Sequence, residues 1–177
     1  MAGRSTELSA AIEQVFDREH SAVRRIIRAE DLSAPSWRSP RSSRAILLTR
    51  LPSGGGTELR AFRREVGAQA LALTRSMTAR ADILVVAEAP HGIGDDPLRH
   101  HRLESILTRM RSAAQQQFAS TVSVNALVFT GSVEGPIVAA RIHEAIRGRA
   151  MPDTDFVILD EDVRDKSIAT AIAEECS

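Results

Sequence analysis

The sequence is poor in aromatic side chains: it has no tyrosine, one tryptophan (Trp37) and five phenylalanines in 177 residues. Proteins that hold single-stranded nucleic acid stack its bases on aromatic rings, so this scarcity argues against such a partner. Cysteine is reduced to Cys176, which excludes an intrachain disulfide and any metal site built on paired thiolates. A lone thiol fits a reducing compartment, and a cytoplasmic location is expected. No apolar run approaches the ~20 residues that span a bilayer. The first residues, Met1-Ala2-Gly3-Arg4-Ser5, lead into charged positions rather than the apolar core of a secretion signal. Net charge is also missing, because 23 basic residues balance 23 acidic ones. No global field therefore draws in nucleic acid or an anionic membrane. Lysine is nearly absent; every basic residue except Lys166 is arginine, the usage of a GC-rich bacterial genome.

What is present suits a folded domain. The hydrophobic share is 43% and the charged share 26%, close to the globular average, and the length suits one domain with an appendage. Apolar residues recur at helical spacing from residue 5 to residue 30, at Leu8, Ile12, Val15, Phe16, Val23, Ile26 and Ile27. This predicts an amphipathic helix. A strap rich in serine, proline and arginine follows to about residue 43, with Trp37 as its anchor. Residues 1–43 thus read as an N-terminal helix and strap, and residues 44–177 as a Rossmann-like α/β domain.

In that second part apolar runs of strand length alternate with helical patterns. The runs are 45–49, 82–87, 124–129 and 156–159; the helices are 57–79, 96–118, one opening at Gly135-Pro136, and 167–174. Asp96-Pro97 is a strong helix start. The runs are continuously apolar rather than alternating, as in parallel strands covered on both faces. The expectation is a three-layer α/β fold: a mostly parallel sheet of four to five strands, right-handed crossovers and helices on both faces.

In open parallel sheets, ligands gather beyond the carboxyl ends of the strands, and four loops fall there. Ser53-Gly54-Gly55-Gly56-Thr57 frees the backbone to point N–H groups at an anion beside a helix start. It is neither a Walker loop nor a dinucleotide fingerprint, because no Gly-Lys-Ser/Thr follows it and Thr57-Glu58 succeed the third glycine. The second loop joins Glu88 and His91, a carboxylate and an imidazole suited to acid–base work. Glu88, Asp95 and Asp96 also offer oxygens to a hydrated Mg²⁺. In the third, Gly131 makes a turn and Ser132 either caps the next helix or offers its hydroxyl to an anion. In the fourth, Asp160 heads an acidic run, Asp160-Glu161-Asp162, that meets a metal, a ribose hydroxyl or simply water. His100 and His101 are adjacent, so on a helix they point about 100° apart and make no joint metal site.

These features support one reading first: a domain that binds a small phosphorylated metabolite or nucleotide, with transfer or hydrolysis as the chemistry if it is an enzyme. Glu88, His91 and Asp160 are the candidate catalytic residues. Ser53, Gly54, Gly55, Gly56, Thr57, Gly131 and Ser132 are the candidate ligand contacts. A second reading is a non-catalytic subunit that docks a protein, or a second copy of itself, through the N-terminal helix. A third is a signalling or defence domain that cleaves a glycosidic bond.

Overall fold

A computed structural model describes residues 7–18, 26–28, 44–53, 56–76, 80–90, 121–147 and 156–175, with scattered helical positions between 101 and 116. Helix α1 is Glu7–Arg18, followed by the short strand β1, Ile26–Arg28. Then come β2 (Arg44–Arg50), α2 (Gly56–Ser76), β3 (Arg80–Glu88) and β4 (Thr121–Phe129). Helix α3 (Gly135–Arg147), β5 (Val157–Leu159), a 3-10 turn (Glu161–Val163) and α4 (Ile168–Glu175) complete the order. Among the described residues no helix is long and apolar enough to cross a membrane.

The fold is α/β, and its five strands form one parallel sheet in strictly sequential order. The helix expected over residues 5–30 is shorter than its periodicity suggests. It is described over Glu7–Arg18, and Ile26–Arg28 lies beside Ile46–Leu48 as a strand. Isoleucine is β-branched and favours a strand once a neighbour is available, so pairing overrides the helical spacing. The N-terminal segment joins the rest through this strand and through α1, whose Leu8 and Ile12 are fully buried beside α3 residues.

Successive strand residues point to opposite faces, and the apolar core divides accordingly. Leu47, Ile83, Val85, Ala87, Val124, Ala126 and Val157 form one cluster with Phe62 and Val66 of α2 and with Leu107. Ile46, Leu84, Val86, Leu127 and Ile158 form the other, with α1, with Val138, Ile142 and Ile146 of α3, and with Ile168 and Ile172 of α4. Burying one such side chain fully contributes about 1.5–3 kcal/mol, and both clusters contain many.

This division has a geometric consequence. The step from β2 to β3 through α2 and the step from β4 to β5 through α3 move the same way across the sheet, yet the two helices pack on opposite faces. The two crossovers are therefore of opposite hand, and the right-handed rule expected for both is broken once. In a sequentially ordered sheet, crossovers of one hand place every helix on one face. Here both faces are covered: Ile83 and Val85 lie under α2, and Leu84 and Val86 under α1, α3 and α4.

Three polar residues are buried toward the amino end of the sheet, Asp82, Ser123 and Asn125. The Asn125 amide donates to Ser123 Oγ (2.8 Å), and its carbonyl oxygen accepts the Phe156 N–H (3.2 Å). With the bond from the Ala126 N–H to the Phe156 carbonyl (2.9 Å), this fixes the entry of β5 against β4.

Candidate functional site

The carboxyl ends of β2, β3 and β4 are level, since Arg50 pairs with Glu88 and Glu88 with Phe129. The chains leaving β3 and β4 then part. Ala89 still donates its N–H to the Phe129 carbonyl (2.8 Å), but Leu107, among the helical positions that follow β3, packs on the α2 side of the sheet. Val133, beyond the end of β4, packs on the α3 side. In a doubly wound sheet such a parting comes from a reversal of strand order. Here the change of crossover hand produces it, between β3 and β4.

The loop after β4 is organised by Asp160. This carboxylate is fully buried and accepts four hydrogen bonds. Oδ1 takes the Thr130 N–H (3.2 Å) and the Thr130 hydroxyl (2.8 Å). Oδ2 takes the N–H groups of Gly131 and Val133 (3.1 Å each). Gly131 adopts φ +87°, a conformation that side chains oppose, and this lets consecutive N–H groups turn toward one carboxylate. Asp160 thus shapes the loop, with both oxygens engaged.

The hydroxyls of Ser132 and Thr130 are bonded to each other (2.8 Å). Ser132 is exposed and does not cap α3, because the first helical bonds, from the Ile137 and Val138 N–H groups, end on the Glu134 carbonyl (3.0 and 3.3 Å). Of its two expected roles, the structure leaves an outward-facing hydroxyl two residues upstream of the cap position. Arg164 reaches this loop from beyond β5 and donates to the Ser132 carbonyl (3.3 Å).

Glu88 ends β3. By strand alternation its side chain is on the α1–α3 face, the face toward which the Thr130–Ser132 loop leaves. It is 14% exposed, and the Arg50 guanidinium stands 3.9 Å from its carboxylate. The glycine loop departs the other way. Leu51 is buried in the α2-side cluster and donates its N–H to the Glu88 carbonyl (2.9 Å). Ser53, Gly56 and Thr57 are exposed, and Gly56 opens α2. Gly54, Gly55 and His91 lie outside the described residues, as do Asp95, Asp96 and His100. The fold therefore places Glu88 and the Thr130–Ser132 loop on one face of the edge, and the described part of the glycine loop on the other.

The acidic run after β5 also resolves into separate tasks. Asp162 Oδ2 accepts the Leu159 N–H at 2.7 Å, Glu161 is exposed and Asp160 holds the loop. Among the described residues, no three histidine, cysteine, aspartate or glutamate side chains converge as a metal would require. Arg50 is the member of this edge that residue-by-residue reading missed. Its signal was the strand register, which aligns the last residue of one apolar run with the first acid after the next. No family model matches the chain, and neither a curated protein nor a solved structure does.

Proposed function

We propose that the domain binds a small phosphorylated ligand, a metabolite or a nucleotide, at the carboxyl edge where the chains leaving β3 and β4 part. The observation that carries this reading is that parting together with the loop that Asp160 sets beside it. Ser132 presents an exposed hydroxyl, Gly131 brings backbone close to the surface, and α3 begins three residues beyond Ser132 with the positive end of its dipole. Arg50 adds a full positive charge at the same level of the sheet. These are the groups that hold a phosphate.

For chemistry the site offers Glu88. It is recessed at a strand end, 14% exposed. A recessed carboxylate beside a bound phosphate ester suits a general base for transfer or hydrolysis. The docking reading has less support, because Leu8 and Ile12 of the α1 stripe are already buried within the chain.

The test is thermal unfolding against a panel of nucleotides, sugar phosphates and Mg²⁺. A ligand at ~100 times its dissociation constant stabilises the native state by about 2.7 kcal/mol. Ser132→Glu places a carboxylate at the exposed loop, ahead of a helix N-terminus that tolerates it. The expected result is a folded variant that loses the shift. A panel without any hit, or a hit indifferent to Ser132→Glu, overturns the proposal.

A further inference from the structure

We infer that Arg164 and the Ser132 hydroxyl together hold the anionic group of the ligand, and that this group is a terminal phosphate, a monoester, rather than a bridging diester. This rests on the ligand-binding reading above and adds the residue that meets the anion and the class of phosphate it takes.

The loop after β4 has turned its backbone donors inward. The N–H groups of Thr130, Gly131 and Val133 end on the Asp160 carboxylate, and that of Ser132 ends on the Thr130 hydroxyl oxygen (3.3 Å). An anion arriving at this loop is therefore met by side chains rather than by a nest of backbone N–H groups. It also approaches the buried carboxylate on which the loop is built, so a cation on the outer side has to offset the repulsion.

Arg164 supplies that cation. It follows the 3-10 turn after β5, where its backbone N–H is bonded to the Glu161 carbonyl (3.2 Å). Its exposed side chain donates from Nη2 to the Ser132 carbonyl (3.3 Å), which sets the guanidinium beside Ser132. Nη2 carries two hydrogens, one on each two-donor edge of the planar fork. Whichever of them Ser132 takes, the other edge keeps its two parallel donors, and two phosphate oxygens accept such an edge.

The Ser132 hydroxyl serves a third oxygen. Thr130 gives its own proton to Asp160 (2.8 Å), so in the 2.8 Å pair of hydroxyls Ser132 is the donor. Its proton turns outward at little cost, because the Thr130 oxygen goes on accepting the Ser132 N–H. A fork and a hydroxyl thus ask for three unesterified oxygens. A phosphate monoester has them; a diester has two.

The experiment is titration of the full chain with methyl phosphate and dimethyl phosphate, followed by NMR, for the native protein, Arg164→Met, Arg164→Lys and Ser132→Ala, each first checked for cooperative unfolding. Methyl phosphate is expected to bind at least about tenfold tighter than dimethyl phosphate and to shift the Arg164 guanidinium resonances, which a purely structural arginine would not show. Arg164→Met should weaken methyl phosphate by about tenfold or more, and Arg164→Lys, which keeps the charge without the fork, should recover only part of the loss. Ser132→Ala should weaken it by about fivefold and leave dimethyl phosphate unchanged. Equal binding of the two esters, no binding of methyl phosphate, or native binding by Arg164→Met overturns this inference. A nucleotide or sugar phosphate that still raises the unfolding midpoint, and loses the effect in Ser132→Glu, then leaves the ligand-binding reading standing. Silence from both esters and from the whole panel removes both.

Discussion

Asp160 accepts four hydrogen bonds from three residues of one loop while shut away from water. A buried bond to a charged group is worth about 1.5–3 kcal/mol, and a buried donor left without an acceptor costs about 1–3 kcal/mol. Asp160→Asn presents an amide to donors that need an acceptor, so it should lower stability by roughly 2–4 kcal/mol in urea unfolding. Glu161→Gln, one residue away and exposed, should stay within about 0.5 kcal/mol. Gly131 offers a cleaner probe, because nothing lies within 4 Å of where a Cβ would sit. Gly131→Ala therefore tests backbone conformation alone, and about 1–2 kcal/mol is expected from the left-handed φ. Both residues stand out in the sequence, as an acid at a strand end and a glycine in a turn. The task of Asp160 does not, because its donors lie 27–30 positions away. Residue type alone does not distinguish a carboxylate that meets a ligand from one that folds a loop.

Elements were legible where an apolar period and a boundary signal coincided. Gly135-Pro136 opens α3, and Val138, Ile142 and Ile146 are buried as their spacing requires. Ser167 opens α4 as an N-cap, accepting the Thr170 N–H on its Oγ (3.1 Å). Ser167→Ala should cost about 1 kcal/mol, read from the midpoint of thermal unfolding. Along α3, Ile142→Ala should cost about 2–5 kcal/mol, since it empties a fully buried position. Ile137→Ala, at the exposed isoleucine of the same helix, should fall within about 0.5 kcal/mol. Urea unfolding of the two variants side by side checks the assignment of the buried face. Strand β1 was not legible, because three residues ending in an arginine carry no period of their own. Only β2 beside them makes Ile26 and Ile27 a strand.

At the scale of the molecule, the sequence announced strands with two apolar faces but not their order. Continuous apolar runs state that both faces need cover; they do not state which connection passes over which face. The candidate edge follows from that unstated choice, since the chains part between β3 and β4 because Leu107, after β3, packs on one face and α3 packs on the other. The sequential order also has a bearing on biosynthesis. Each strand emerges from the ribosome after the neighbour it will pair with, so the sheet can be laid down in the order it is translated. The carboxylate that arranges the loop after β4 is made only after α3 and β5. A chain arrested at residue 155 carries β4, the Thr130–Ser132 loop and α3 without the group that arranges that loop. The site is thus completed only once β5 has been made, and a nascent chain short of β5 is expected to hold no ligand, whatever part of its sheet has formed.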